Sequence, residues 1–302
     1  MKTEMLISIC MCTYQRSHVV DTLKSIAALR LPEHVNLEVI VVDNDEYGYA
    51  EMLVKAQANI MDIPVYYRQE TAKNIALARN CSIANTQGEW VAFIDDDEVA
   101  DPDWLAQLLV TAQTYQADAV FGRVKSTYPS DTPQWIIKSG VFERLPVSNG
   151  QAVTSGATNS TLVSQAAIKK YQLQFDCNYG LTGGEDADFF YRLYQHGGKL
   201  VCSNEAFVTE EVASNRLNLN YLLKRAMRIG ETYTRYRMQK APLVNKSAYF
   251  TDVFLKLIIL LFIVLVKLPF GQSKYAKPLL QLVDKYGKIK ALFSNKTVKL
   301  YS

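Results

Sequence analysis

The sequence predicts an α/β domain on a mostly parallel sheet flanked by helices, followed by a helical tail. Three observations predict it. Short apolar runs of strand length alternate with stretches of helical spacing, as βαβ units require. The runs ending near residues 12, 42 and 94 each deliver polar residues: 13–16, 43–45 and 95–97. In a parallel sheet such ends open on one edge, where open α/β folds bind ligands. Third, residues 216–302 hold 17 of the 33 Lys and Arg residues but only three of the 30 acids, Glu231, Asp252 and Asp284. A basic tail so sharply set off points to an anionic surface.

The elements follow in order. Residues 5–11 read as the first strand, and Ser17 or His18 opens a helix with Val19, Leu23, Ile26 and Ala27 on one face. Pro32 ends that region, and residues 37–42 form the second strand. A helix covers about 49–60, a short strand 65–68, and a helix 75–85 with Asn74 as its cap and Gly88 at its end. Residues 91–94 are the strand that runs into Asp95, Asp96, Asp97 and Glu98, and a helix over 104–116 follows with Asp101 or Asp103 as cap. After a strand at 119–124 the pattern loosens. Residues 125–160, with Pro129, Pro133, Pro146 and Trp135, read as a long connection with short strands, suited to acceptor recognition. A strand near 160–163 and helices from 164 and 185 complete the core.

Four consecutive carboxylates repel one another, so a cation is their natural neutraliser. Oxygen ligands without His or Cys nearby favour Mg²⁺ or Mn²⁺, which usually also hold substrate phosphates. An acidic loop before a helix is the competing reading. In the stretch Gly183-Gly184-Glu185-Asp186, two glycines permit close backbone approach and two acids open an amphipathic helix carrying Phe189, Phe190 and Leu193. A carboxylate there is stabilised in its charged form, which suits a proton acceptor, although acids in a first helical turn are also routine caps. No G-x-G-x-x-G follows the first strand and no Walker lysine motif occurs. Five cysteines without a C-x-x-C pair read as buried thiols of a reducing compartment, and residues 1–4 carry no leader-like apolar region.

Thr13-Tyr14-x-Arg16, Val42-Asp43-Asn44, Ala78-Arg79-Asn80, Phe93-Ile94-Asp95-Asp96-Asp97 and Gly184-Glu185-Asp186-x-Asp188-Phe189 occur in that order. In this the chain resembles family-two glycosyltransferases of the GT-A fold, a Rossmann-like architecture, over about residues 5–230. Pro133-x-Trp135, Leu145-Pro146-Val147 and Asn215-Arg216 narrow the resemblance to bacterial exopolysaccharide transferases of the succinoglycan type. The resemblance implies a nucleotide-sugar donor, usually a UDP-sugar, with Mn²⁺ or Mg²⁺ and inversion at the anomeric carbon. Carried over by position, Thr13, Tyr14, Arg16 and Asp43 would hold the uridine, with Arg79 and Asn80 near the donor. Asp95 would contact the ribose region, Asp97 would bind the metal, and Asp186 would be the base with Glu185 orienting acceptor or base. Arg225 and Arg228 would contact the diphosphate, or else form a solvated basic helix face.

Two departures stand out. The place where many relatives carry a metal-binding His on the last core strand reads Ala206 to Glu211, with Glu210 as the nearest substitute. The Gln-x-x-Arg-Trp motif of processive synthases is absent, which implies one sugar per encounter. The expected organisation is a catalytic domain over 1–235, divided into a nucleotide-sugar half (1–124) and an acceptor half (125–235), then a membrane-associating region over 236–302. In that tail, residues 253–268 read VFLKLIILLFIVLVKL. The uninterrupted apolar run of ten residues is short for a span, so spanning, in-plane and buried placements all stay open. The surrounding lysines favour an anionic leaflet. The basic half lacks a nucleic-acid motif. The expected enzyme therefore sits at the cytoplasmic face of the inner membrane and glycosylates a lipid-linked saccharide. A polyprenyl-phosphate acceptor and a non-catalytic nucleotide-sugar-binding membrane protein are the alternatives.

Overall fold

The structure, a computed structural model, describes residues 4–143, 147–238 and 241–294. Leu145 and Pro146 lie outside the described residues. The chain forms two compact units. The first gathers Met1–Lys125, Arg144–Leu181 and Glu185–Glu210; the second gathers Ser126–Glu143, Thr182–Gly184 and Glu211–Ser302.

The first unit is built on strands β1 (Met5–Thr13), β2 (Val35–Asp43), β3 (Val65–Gln69), β4 (Trp90–Phe93), β5 (Glu98–Ala100), β6 (Ala119–Thr127), β7 (Thr161–Ser164) and β8 (Leu200–Glu211). They form one sheet in the order β3-β2-β1-β4-β7-β6-β8-β5. The half from β3 to β4 is parallel throughout. The other half is mixed, with β7 antiparallel to β4 and β6 and β5 antiparallel to β8. The helices in chain order are α1 (Val19–Ala27), α2 (Glu51–Ala58), α3 (Ile75–Ala84), α4 (Trp104–Tyr115), α5 (Gln134–Ser139, in the second unit), α6 (Gln165–Lys170) and α7 (Glu185–Gln195).

The near-continuous apolar runs of β1 and β2 are explained by burial on both faces. Alternate residues of a strand point to opposite faces. Ile7, Ile9, Met11, Val39 and Val41 enter one core with Leu23 of α1 and Trp104 of α4. Cys10, Ile40 and Val42 enter the other with Ala76 of α3 and Phe189 and Phe190 of α7. Trp104 is fully buried, and its indole Nε1 donates to Ser160 Oγ at 2.9 Å.

Three expectations are corrected. Between β6 and β7 the described residues hold no extended strand, only α5 and an isolated bridge from Ala152 to Val201. The prolines and glycines there break up any ladder. Of the two expected caps of α4, Asp103 stands at the cap position but makes no capping bond, because its carboxylate accepts from Arg30 Nε at 2.8 Å, while Asp101 Oδ1 accepts from Asp103 N at 3.0 Å. Of the five free thiols only Cys10 is buried and Cys177 is exposed, since Cys177 lies on a short surface turn rather than on a strand.

In the second unit, α8 (Leu219–Met238), α9 (Leu243–Lys267) and α10 (Gln272–Phe293) pack together. The expected line at residue 235 falls inside α8. The reason is close packing of α8 on α10: a Cβ on Gly230 would come within 2.1 Å of Asp284 O, and one on Gly287 within 2.4 Å of Met227 O. Buried Glu231 of α8 accepts from Lys290 Nζ of α10 at 2.6 Å. Residues after 211 thus share a core with the tail.

A buried polar knot anchors the turn between α3 and β4 to the sheet. Ser8 Oγ donates to Glu38 Oε1 at 2.5 Å, Gln87 N donates to the same oxygen at 2.7 Å, and Gly88 N donates to Ser8 Oγ at 2.8 Å. A Cβ on Gly88 would lie 2.6 Å from Ser8 N and 2.8 Å from Leu6 O, both backbone atoms. Gly88→Ala is therefore expected to destabilise the protein by about 1–3 kcal/mol through overpacking. A lowered urea midpoint at unchanged slope is the check.

Candidate active site

The register of the parallel strands assembles the site. Thr13 pairs with Asp43 at the carboxyl ends of β1 and β2, and Cys10 pairs with Phe93 of β4. The chain leaving β4 therefore carries Asp95, Asp96 and Asp97 alongside the end of β1. Thr13 Oγ1 donates to Asp96 Oδ2 at 2.7 Å. Arg16 Nη1 donates to Asp96 Oδ1 at 2.8 Å and to Asp97 Oδ2 at 2.7 Å. Asp96, assigned no ligand contact by the motif resemblance, is thus the hub that joins the two strand ends. The mere adjacency of acids in sequence could not reveal this. Tyr14 is partly exposed, with Lys73 Nζ 5.0 Å from its ring centroid.

Asp43 is fully buried and shapes its loop. Its Oδ2 accepts from Ala50 N at 2.7 Å and Tyr67 Oη at 3.2 Å, and its Oδ1 accepts from Asp45 N at 3.2 Å. Burial raises its proton affinity against those hydrogen bonds. Asn44 Nδ2 donates to the carbonyls of Glu70 and Ala72 at 2.8 and 2.6 Å, and its Oδ1 accepts from Asn74 N at 3.0 Å. Asn74 in turn caps α3 by accepting from Ala76 N and Leu77 N.

Capping places α3 so that Arg79 faces the acids. Its Nη1 is ion-paired with Glu185 Oε1, and its Nη2 lies 3.8 Å from Asp95 Oδ1. Burial works against the Arg79 charge. The carboxylates of Glu185, Asp95 and Asp186 outweigh it, so the guanidinium holds its proton more tightly than usual. Glu185 and Asp186 open the first turn of α7, as expected from sequence. Asn80, one residue further along α3, binds both backbone groups of Phe175: Nδ2 donates to Phe175 O at 2.9 Å and Oδ1 accepts from Phe175 N at 2.8 Å. Those bonds fix the loop before α7.

The site carries an excess of negative charge. Glu98 of β5 lies opposite Glu210 of β8 in register, and like charges so placed repel. Burial first, then the Asp95 carboxylate, drives the Glu98 carboxyl well above its ordinary range. Its Oε2 accepts from Asp95 N at 2.9 Å, while Oε1 is buried without a hydrogen-bond partner among the described residues. Solvent reaches 44 % of the Asp95 side chain. Even so, the surrounding protein and then the carboxylates of Asp97, Asp96 and Glu210 push Asp95 up to about 7, against the pull of Arg79.

Among the described residues no group of three or more His, Cys, Asp or Glu side chains is placed to hold a metal alone. Asp97 and Asp95 offer carboxylate oxygens only. That donor set fits Mg²⁺ or Mn²⁺ held through one or two carboxylates plus substrate phosphates. Arg225 and Arg228 lie on α8 in the second unit. The Arg225 guanidinium sits 5.9 Å from the Phe142 ring centroid, and Arg228 Nη1 donates to Thr182 O at 3.1 Å.

Comparison with known proteins agrees with this architecture. The family model described as glycosyl transferase family 2 matches residues 8–171. The chain is 39% identical over 235 residues to the succinoglycan biosynthesis protein ExoM of Rhizobium meliloti (strain 1021), covering 78% of this chain and 76% of that protein. It is 25% identical over 273 residues to a glucosyl-dolichyl phosphate glucuronosyltransferase of Haloferax volcanii, covering 83% and 84%. The crystal structure of Staphylococcus aureus TarS 1–349 superposes with a TM-score of 0.55 at 16% identity, covering 95% of this chain and 89% of that one. The same fragment solved in complex with UDP-GlcNAc gives 0.53 at 15%. The chain spans 45% of the longer TarS structure. The likeness to TarS is one of fold.

Arg79 and Glu185 are both nearly enclosed, with side-chain exposures of 11% and 5%. Arg79→Met removes the ion-pair partner of the enclosed Glu185 and is expected to cost about 3–5 kcal/mol. Adding Glu185→Met should recover most of that loss, read by chemical denaturation of the two variants and the parent.

Proposed function

The chain belongs to glycosyl transferase family 2, and on that premise we propose an inverting transferase. It moves one sugar per encounter from a nucleotide-sugar, a UDP-hexose, to a lipid-linked saccharide in the synthesis of a bacterial surface polysaccharide. One observation carries this reading. The polar ends of β1, β2 and β4 meet on one sheet edge, and Arg79 ties that edge to the acids opening α7. A relative named for succinoglycan biosynthesis and another named for acting on glucosyl-dolichyl phosphate support the polysaccharide and the lipid-linked acceptor. The UDP-GlcNAc complex of TarS supports a uridine diphosphate donor.

In this reading Thr13, Tyr14 and Arg16 border the nucleoside, and Asp43 shapes the loop beside it. Asp95 faces the ribose region. Asn80 acts at a distance, by fixing the Phe175 loop. Asp97 would hold Mn²⁺ or Mg²⁺, which when bound would supply Lewis-acid neutralisation of the leaving diphosphate. Asp186 takes the proton of the acceptor hydroxyl. The hydroxyl oxygen forms its bond to the anomeric carbon as the bond to the diphosphate oxygen breaks, and attack from the opposite face inverts that carbon. Glu185, held by Arg79, orients the base or the acceptor.

The exposed surface of α9 supports membrane association. Of its residues only Val253 and Val264 are buried, while Phe254, Leu255, Ile258, Ile259, Leu261, Phe262, Leu265 and Val266 are exposed. The segment Leu243–Phe270 is long and apolar enough to cross a membrane, with a mean hydropathy of 2.7 over its best window. Apolar area so presented suits a lipid leaflet at the cytoplasmic face of the inner membrane.

Asp97→Asn and Asp186→Asn are each expected to reduce sugar transfer by at least about 100-fold while leaving the thermal midpoint near that of the parent. The assay offers Mn²⁺, UDP-hexoses, UDP-N-acetylhexosamines and GDP-mannose with a lipid-linked acceptor. Full transfer by both variants would sink the assignment. Phe262→Glu combined with Leu265→Glu should shift the protein from the membrane to the soluble fraction, measured by flotation with circular dichroism unchanged.

A further inference from the structure

An open depression of about 300 Å³ in the second unit is lined by Ser139 of α5, the exposed Lys267 at the end of α9, and Ser273, the exposed Lys274, the half-buried Lys277, Pro278 and Gln281 of α10. No carboxylate lines it, and among the described residues none of its three lysines pairs with an acid. Lys274 and Lys277 stand near the amino end of α10, where the helix dipole disfavours cations. The first turn of α10 contains no acid, and its cap residue Gly271 supplies no side-chain acceptor. Three cations and a helix amino terminus converge with nothing negative between them, an arrangement that an anion would stabilise. The depression is continuous in sequence with the exposed Leu265, Val266, Leu268 and Phe270. The charged recess therefore adjoins the surface read above as lipid-facing.

We propose that this depression binds the phosphate of an anionic phospholipid headgroup, seating α9 at the leaflet surface. The inference rests on the membrane-association reading. It goes beyond that reading by assigning a discrete site in place of diffuse attraction. Two features favour a lipid over a soluble anion: Lys267 terminates the apolar helix, and the depression opens among residues that adjoin acyl-facing ones. Lysine binds phosphate as a point charge, without the fixed fork of arginine.

The test uses the full-length protein and vesicles of phosphatidylcholine alone or with phosphatidylglycerol. Lys274→Gln with Lys277→Gln is expected to weaken binding to the anionic vesicles by about 10–30-fold and to leave binding to neutral vesicles unchanged. The charge-matched pair Lys246→Gln with Lys256→Gln, outside the depression, should lose much less. Equal losses in the two pairs would mean diffuse attraction only and overturn the site. Inorganic phosphate that binds in solution and abolishes the difference between the pairs at low millimolar concentration would assign the depression to a free anion, overturning the lipid. Absence of binding to either vesicle would instead remove the membrane reading itself. Unchanged circular dichroism identifies the variants as folded.

Discussion

The catalytic unit depends on holding mutually repelling carboxylates in one place. Two unit charges about 4 Å apart at an effective dielectric constant near 20 interact by about 4 kcal/mol, so Asp95, Asp96, Asp97, Glu98 and Glu210 cannot all stay ionised unaided. Two guanidinium groups neutralise part of this charge. Arg16 bridges Asp96 and Asp97, and Arg79 takes Glu185 with Asp95 beside it. The remaining excess shows in the raised proton affinities of Asp95 and Glu98. A bound divalent ion would relieve the same strain, and the acidic end of β4 thus fits the proposed transfer of a sugar from a diphosphate.

The positions of these charges come from the backbone around them. Parallel register sets Thr13 against Asp43 and brings the end of β4 beside β1. The two asparagines Asn44 and Asn74 then lock the loop after β2 onto the cap of α3, and the orientation of Arg79 follows. Asn80 fixes the segment before α7 through the N–H and the C=O of Phe175. Several polar residues of the recurring motifs are spent in this way on geometry, and fewer remain to face a ligand than a motif list suggests.

The second unit obeys a different rule. Gly230 and Gly287 let α8 and α10 approach until their backbones touch, whereas α9 buries only Val253 and Val264. A helix apolar on nearly every face, yet covered along one stripe, leaves its stability to whatever lies against the exposed residues. That imbalance is what supports the proposed contact of the tail with a lipid surface and gives the lysine-lined depression its setting.

By itself the sequence determined the α/β class, the order of the elements from β1 to β4 with the helices between them, the cap at Asn74, the acids at both loci and the apolar tail. These follow from local periodicity, capping chemistry and charge, all of which act over a few residues. The family, too, was legible in five short motifs in order. The tertiary structure alone decided how those residues are shared out. Asp96 became the hub between Thr13 and Arg16, Arg79 joined acids 90 positions apart in sequence at Asp95 and Glu185, and α8 joined the tail rather than the sheet. The antiparallel half of the sheet and the pairing of Glu98 with Glu210 were equally hidden. Each is a long-range contact fixed by packing and register, and neither composition nor spacing along the chain encodes which partner a buried charge will find.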